Sequence, residues 1–256
     1  MNIYYYRAEK CKIEANGHIK LSSANFAFKE PGKYKIKYYF SNNLRSTDYM
    51  FDSCSSLISI DLSNFNTKNL CSMKDMFFQC YSLTSINFSN INTQNVVNME
   101  GLFSRCTSLT SIDLSNFNTQ NVTNMSWMFD CCKSLSSIDV SNFNTQNVTD
   151  IKYMFNECKS ITSIDVSNFN TEKVINMRNL FSGCKSLKKI DLSNFITHNT
   201  LGMCDMFKDC ESLEHLDLSR FNTKKVQYLG SFFYGCDSLK RENLKTNDYK
   251  ILNLMP

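Results

Sequence analysis

Cysteine recurs through this chain with a fixed step: Cys54, Cys80, Cys106, Cys132, Cys158, Cys184, Cys210 and Cys236 are each 26 residues apart. Phenylalanine keeps the same step from Phe51 to Phe233. The residue before it is apolar every time: Met50, Met76, Leu102, Met128, Met154, Leu180, Met206, Phe232. Self-similarity with a fixed period of about 20–50 residues marks a repeat array, in which each unit contacts only its neighbours. Within the unit from Cys106 to Cys132, Ile112 and Leu114 stand two apart, as one face of a short strand requires. Val122, Met125, Met128 and Phe129 then follow at three- and four-residue steps, the pattern of a helical or 3₁₀ segment. Asn118 or Thr119 is placed to cap it. A single unit buries too little apolar surface to offset its chain entropy, so the units must stack. Seven intervals at roughly 4.8 Å per stacked strand predict a core about 34 Å long.

The ends depart from the period. Before residue 45 the apolar positions alternate (Tyr34, Ile36, Tyr38, Phe40) after a turn at Pro31-Gly32, with Ile36 and Leu44 in register with later columns. At the other end Glu242 stands in the Ile column and Asn247 in the Phe column, and Tyr249 to Leu254 read as a closing segment. The expected division is an N-terminal cap of strand or hairpin over 1–45, a solenoid over 46–240 and a C-terminal cap over 241–256. The hydrophobic share is 42%, within the globular range, and the turns must form with only 7 Gly and 2 Pro. A net charge of +4 is too small to argue for nucleic acid. The N-terminal residues carry charges where a signal peptide needs an apolar run, and no stretch approaches the roughly 18 apolar residues of a membrane span. The expected location is therefore cytoplasmic, with the cell surface as the alternative.

The pattern Cys-x-x-Leu-x-x-Ile-x-Leu followed by aromatic-x-x-Cys resembles the BspA-like leucine-rich repeats. Leu114 to Phe129 resembles the 26-residue surface-protein variant of that family. The resemblance covers about residues 35 to 244. It implies an α/β solenoid: a right-handed superhelix with one parallel sheet and short helical or 3₁₀ segments on the opposite side. It further implies a role in protein binding or surface adhesion, and places the Cys column in the core. This chain departs from the commoner form: Ser stands at 63, 115 and 141 where Pro is usual. Phe65, Phe117 and Phe143 occupy the position of the usual Asn, so an asparagine ladder is not expected at that position.

The thiols are strung along an axis rather than converging on one point, which favours reduced, structural cysteines over disulfides or a zinc site. Cys11, Cys71, Cys131 and Cys204 are unpatterned. His18, His198 and His215 sit in no cluster with a nucleophile, so no catalytic residues, metal site or cofactor are expected. Asp61, Asn87, Asp113, Asp139, Asp165, Asp191 and Asp217 form an exposed column between the inward Ile and Leu. Two readings stand: a strip for a basic partner or hard cations, or acceptors for backbone N–H groups in the Ser-Asn turn that follows, the second favoured. Lys133, Lys159 and Lys185, with Lys188 and Lys189 nearby, make a basic column beside it. The column Tyr49, Asp75, Gly101, Trp127, Tyr153, Asn179, Asp205 varies freely, which predicts exposure, with Trp127 and Tyr153 as an outward aromatic pair. The sequons at Asn87, Asn121, Asn124 and Asn147 are by-products of Asn- and Thr-rich repeats. The function expected is a non-enzymatic scaffold that binds a protein or other macromolecule, identity open. Its contact residues are Asp113, Asp139, Asp165, Asp191, Trp127 and Tyr153. Alternatives are a surface adhesin and a cation-binding structural array.

Overall fold

A computed structural model describes residues 12–15, 18–21, 32, 35–39 and 44–255. From residue 44 onward the chain winds into stacked rungs of 26 residues around one continuous apolar core. Columns such as Phe77, Phe103, Phe129, Phe155, Phe181 and Phe207 are fully buried. Successive rings along this column stack with centroids 5.4–6.2 Å apart, from Phe51–Phe77 at one end to Phe207–Phe233 at the other. The fold is a repeat solenoid.

Three short strands precede it: β1 (Lys12–Ala15), β2 (His18–Leu21) and β3 (Ile36–Tyr39), in an antiparallel sheet of order β2-β1-β3. Cys11, Pro31, Tyr34 and Phe40 lie outside the described residues. On the side predicted as one parallel sheet, the described residues form two parallel strand pairs and one isolated parallel bridge, Lys189–His215. β4 (Ser59–Asp61) pairs with β5 (Ser85–Asn87), and β6 (Leu216–Asp217) pairs with β7 (Leu244–Lys245). The intervening rungs are joined there by scattered bonds such as Ser136 N–H to the Thr110 carbonyl at 3.1 Å. The expected single sheet is thus corrected to two short pairs and one isolated bridge.

The unbroken backbone ladder lies elsewhere. Parallel bridges run Ser46–Ser72–Asn98–Asn124–Asp150–Asn176–Gly202–Tyr228, one per rung, through the segment predicted to be helical. That segment is not a helix; among the described residues the only helical pieces are a 3₁₀ turn at Arg241–Asn243 and α1 (Tyr249–Leu252), both after the last full rung. Each rung instead makes a run of i→i+3 turns, for example Met128 N–H to Met125 C=O at 3.3 Å and Cys132 N–H to Phe129 C=O at 3.1 Å. Two residues per rung are left-handed, in the columns of Trp127 (φ 62°) and Cys131 (φ 56°). A left-handed residue every four positions destroys the i→i−4 ladder that a helix needs. The three- and four-residue spacing of Val122, Met125, Met128 and Phe129 therefore marks core-facing positions of a turn run.

The freed N–H groups point along the solenoid axis. In the column through Trp127, seven bonds succeed one another: Tyr49 to Lys74, Asp75 to Glu100, Gly101 to Ser126, Trp127 to Lys152, Tyr153 to Arg178, Asn179 to Cys204 and Asp205 to Gly230, all 2.8–3.0 Å. Three further columns, beginning at Thr47, Phe51 and Ser53, are equally complete, and in all four each N–H donates to the next rung. A fifth, from Cys71 N–H to Arg45 C=O through Gln227 N–H to Leu201 C=O, runs the opposite way.

After the last full rung, β7 lies beside β6, and α1 is capped by Asp248, whose carboxylate accepts from Lys250 N–H at 3.0 Å and from Thr223 N–H at 2.7 Å. Ile251 and Met255 join the common core. Among the described residues no helix is long and apolar enough to cross a membrane.

Candidate interaction surfaces

The acidic column is exposed along its whole length, and each member performs the same local task. Asp61, Asn87, Asp113, Asp139, Asp165, Asp191 and Asp217 each accept the backbone N–H two residues on, at 2.8–3.0 Å. These Asx bonds close the turn after the strand segment, so the capping reading of the column holds. Hydrogen bonds from the following Ser, hydroxyl and then backbone, lower the carboxyl pKa of Asp113, Asp139 and Asp165. At Asp217 the larger cause is Lys245, 2.8 Å away, and the pKa falls to about 2. One oxygen of each carboxylate is thus held in a turn while the group stays in water. Among the described residues no three His, Cys, Asp or Glu side chains come together as metal ligands. The neighbouring lysines turn to other partners: Lys159 to Glu157 at 3.0 Å, and Lys185 to Glu211 at 2.5 Å.

Trp127 and Tyr153 do come together, with rings 3.8 Å apart and 5° from parallel. They are half-buried, Gly101 in the same column is buried and Tyr49 is exposed. This corrects the expectation that variation in the column means exposure. The column shares its left-handed backbone, an unfavourable state of about 1–2 kcal/mol for an L-residue, which the rung-to-rung hydrogen bonds maintain. Only Gly101 there, with Gly183 and Gly235 in the column of Cys131, uses glycine. Those three glycines, with Asp and Asn scattered through the same columns, were the signal for positive φ in the sequence. The acidic column and the aromatic pair lie on different segments of the rung, separated by the Asn118–Val122 connection. No hydrogen bond or ion pair joins them among the described residues.

The cysteine column is structural. From Cys80 to Cys236 each column thiol donates to the carbonyl of the Phe 29 residues before it, for example Cys132 to Phe103 at 3.2 Å and Cys158 to Phe129 at 3.2 Å. Burial pushes the thiols of Cys54, Cys184 and Cys236 up to about 12, so they are inert at neutral pH. All cysteines among the described residues are free.

Two side-chain ladders escaped the sequence reading. Buried Thr93, Thr119, Thr145, Thr171 and Thr197 each span a junction: Thr119 Oγ1 accepts Asn144 N–H at 2.7 Å and donates to Asn144 C=O at 3.1 Å. Asn90, Asn116, Asn142 and Asn168 each donate to the Ser carbonyl 27 residues earlier, at 2.8–3.3 Å. An asparagine ladder therefore exists, one residue before the Phe column. Of the two proposed caps, Asn118 holds Gln120 N–H at 3.1 Å, while Thr119 serves the neighbouring rung. Sequon residues Asn121 and Asn147 are engaged in rung-to-rung bonds through their amides.

These repeats match one family model twice, over residues 45–164 and 157–255, described as Mycoplasma protein of unknown function, DUF285. The chain belongs to the DUF285 family. No curated protein matches it. Solved structures similar to this DUF285 chain include leucine-rich repeat proteins from Eubacterium ventriosum (16% identity, TM-score 0.46, 77% of this chain) and Bacteroides ovatus (19%, 0.47, 90%). A leucine rich cell surface protein from Faecalibacterium prausnitzii is also similar (18%, 0.31, 79%). The chain spans 47%, 68% and 63% of those proteins, respectively. A TLR13 complex with ssRNA13 is a further match (18%, 0.33, 77% of this chain and 31% of that one).

Proposed function

We propose that this DUF285 chain is a non-enzymatic interaction scaffold whose strand face binds an extended macromolecule rich in cations or hydrogen-bond donors. The observation that carries the reading is the line of exposed carboxylates at Asp113, Asp139, Asp165 and Asp191. Each is oriented by the same turn bond, so a partner meets acceptors already ordered at the rung spacing of roughly 4.8 Å. Such a periodic row suits a repetitive or elongated ligand better than a small molecule, which needs a closed pocket. Residues 1–45 and 241–256 serve as caps of the array. Trp127 and Tyr153, half-buried and stacked on each other, are a second contact region in this reading.

The test is a pull-down with the chain beside a variant carrying Asp113→Ser, Asp139→Ser and Asp165→Ser, after both are seen to melt alike. Ser retains a turn-capping oxygen but removes the charge. A partner lost from the variant alone supports the strand face, and equal capture by both refutes it. Protease treatment of intact cells separates the cytoplasmic placement from the surface alternative, because only a surface-exposed chain is cleaved.

A further inference from the structure

The similar rungs act as an internal control for what the fold itself requires. One residue before the parallel bridges, the central rungs carry Thr123 and Thr149, whose hydroxyls donate to the carbonyls of Val97 and Thr123 at 3.1 and 3.2 Å. The next two rungs place Ile175 and Leu201 in that column, 48% and 42% exposed. The backbone links are unchanged: Ile175 N–H reaches Thr149 C=O and Leu201 N–H reaches Ile175 C=O, both at 2.9 Å. Rungs flank both residues, yet the array leaves them uncovered. Val97, also exposed, stands apart from them beyond Thr123 and Thr149. Charge changes over the same stretch. The column of Asn121 and Asn147 continues with Lys173, Asn199 and Lys225, and the column of Ser126 and Lys152 continues with Arg178. Lys173 and Lys225 reach along the axis to the side-chain oxygens of Asn147 and Asn199, at 2.8 and 3.0 Å. Among the described residues neither these lysines, nor Lys224, nor Arg178 forms an ion pair, although Glu172 and Asp205 stand on the same segments.

Arg178 is fixed in place without being neutralised. Its guanidinium lies over the Tyr228 ring, 5.6 Å from the centroid. Its stem crosses Gly202, where a Cβ would stand 3.1 Å from Nε and 3.2 Å from Cγ. Nε is buried without a hydrogen-bond partner, and the guanidinium makes no hydrogen bond among the described residues. A guanidinium partly withdrawn from water and left with an aromatic face gains most from a carboxylate, which its planar fork binds through two parallel bonds. We propose that Arg178, Ile175, Leu201 and Tyr228, with Lys173 and Lys225 beside them, bind an acidic segment of a partner protein that carries apolar side chains among its carboxylates. Charge complementarity selects the acid, and the exposed aliphatic pair selects its apolar neighbours. The patch spans three rungs, about 10 Å, which three or four extended residues cover. A short segment can thus set one carboxylate on Arg178, an apolar side chain over Ile175 and Leu201, and another carboxylate beside Lys225. Single-stranded nucleic acid fits less well, because it stacks its bases on aromatic platforms and the centre of this patch is aliphatic. The site is separate from the acidic strand face, and its test does not depend on that reading.

The repeat supplies a variant that keeps the fold. Lys173→Asn, Ile175→Thr, Arg178→Ser and Leu201→Thr each install the residue that a central rung carries in that column, so the combined variant should melt like the parent. The probe is the labelled peptide Asp-Leu-Glu-Asp-Phe-Leu-Glu-Asp. It is titrated by fluorescence anisotropy against the whole chain at about 0.15 M salt, where diffuse surface attraction is screened. Saturable binding is expected, weakened at least about tenfold by the combined variant and equally by exchanging the peptide's acids for their amides. Arg178→Lys alone, which retains the charge but loses the fork, should weaken binding at least about threefold. Equal binding by the parent and either variant, equal binding of the amide peptide, or no saturable binding overturns the proposal. Tighter binding of single-stranded oligouridylate, or of vesicles containing phosphatidylserine, lost in the combined variant, overturns it in favour of nucleic acid or membrane. Concentration-dependent self-association lost in that variant overturns it in favour of a second copy.

Discussion

On the turn side of each rung five backbone hydrogen-bond columns run from the first rung to the last, whereas on the strand side the described residues pair only at β4–β5, at β6–β7 and at the single bridge Lys189–His215. The two sides share one core and one period, yet they hold together differently. On the turn side the backbone is pinned, and Thr and Cys side chains add bonds beneath it. On the strand side the central rungs are linked chiefly by Asn amides to Ser carbonyls, with the Asp column facing water. The rigid side keeps the rungs in register, leaving the strand side free to carry exposed polar groups at fixed intervals.

The largest effect should come from removing a turn-side core residue. Phe129→Ala opens a cavity between two stacked rings, and by denaturant unfolding it should lose about 3–5 kcal/mol. Ile112→Ala on the strand side, where the residue is only partly buried, should lose less than half as much. Equal losses would show that the two sides are equivalent. Next in size is Thr119→Val, which leaves the N–H and C=O of Asn144 without the buried Thr119 hydroxyl and should cost about 1–3 kcal/mol. Its strand-side counterpart Ser136→Ala, at an exposed hydroxyl, should stay within about 0.5 kcal/mol.

Smaller effects are read from pH. Asp130 is buried on the turn side between Ser104 and Asn156, and burial raises its pKa above the ordinary 3.8. The folded state therefore holds this proton more tightly than the unfolded one. Its contribution is most favourable below pH 3.8 and is lost as pH rises through the folded value. Asp130→Asn should remove that decline, so the stability difference between variant and parent grows with pH in thermal melts. Asp217 on the strand side has the opposite sign. Lys245 holds its pKa at about 2, so its contribution is present above the ordinary 3.8 and lost as pH falls towards 2. The pair is exposed, and Lys245→Met should shift stability by no more than about 1 kcal/mol. A larger acid-side shift would mean that the end of the strand face is tighter than its exposure implies.

Much of the candidate surface could be read in advance. The period identified the Cys, Phe, Met, Ile, Leu and Val columns of the core, though not the buried Thr column, and the placement of Asp two residues before Ser, at 61, 113, 139, 165, 191 and 217, announced an Asx turn because that bond is local. Trp127 and Tyr153 were found as neighbours but their burial was misjudged. Variability in that column tracks a left-handed backbone rather than exposure.

The amino-acid order by itself determined the 26-residue repeat, the residues that face the core and the local turns, because periodicity and short-range hydrogen bonds are properties of neighbouring residues. Only the tertiary structure decided where the backbone bonds go. Val122, Met125, Met128 and Phe129 have helical spacing, yet each rung can send its N–H groups to the next one only once the rungs are stacked. Those inter-rung bonds, absent from any isolated unit, maintain the left-handed residues that turn an expected helix into a run of turns.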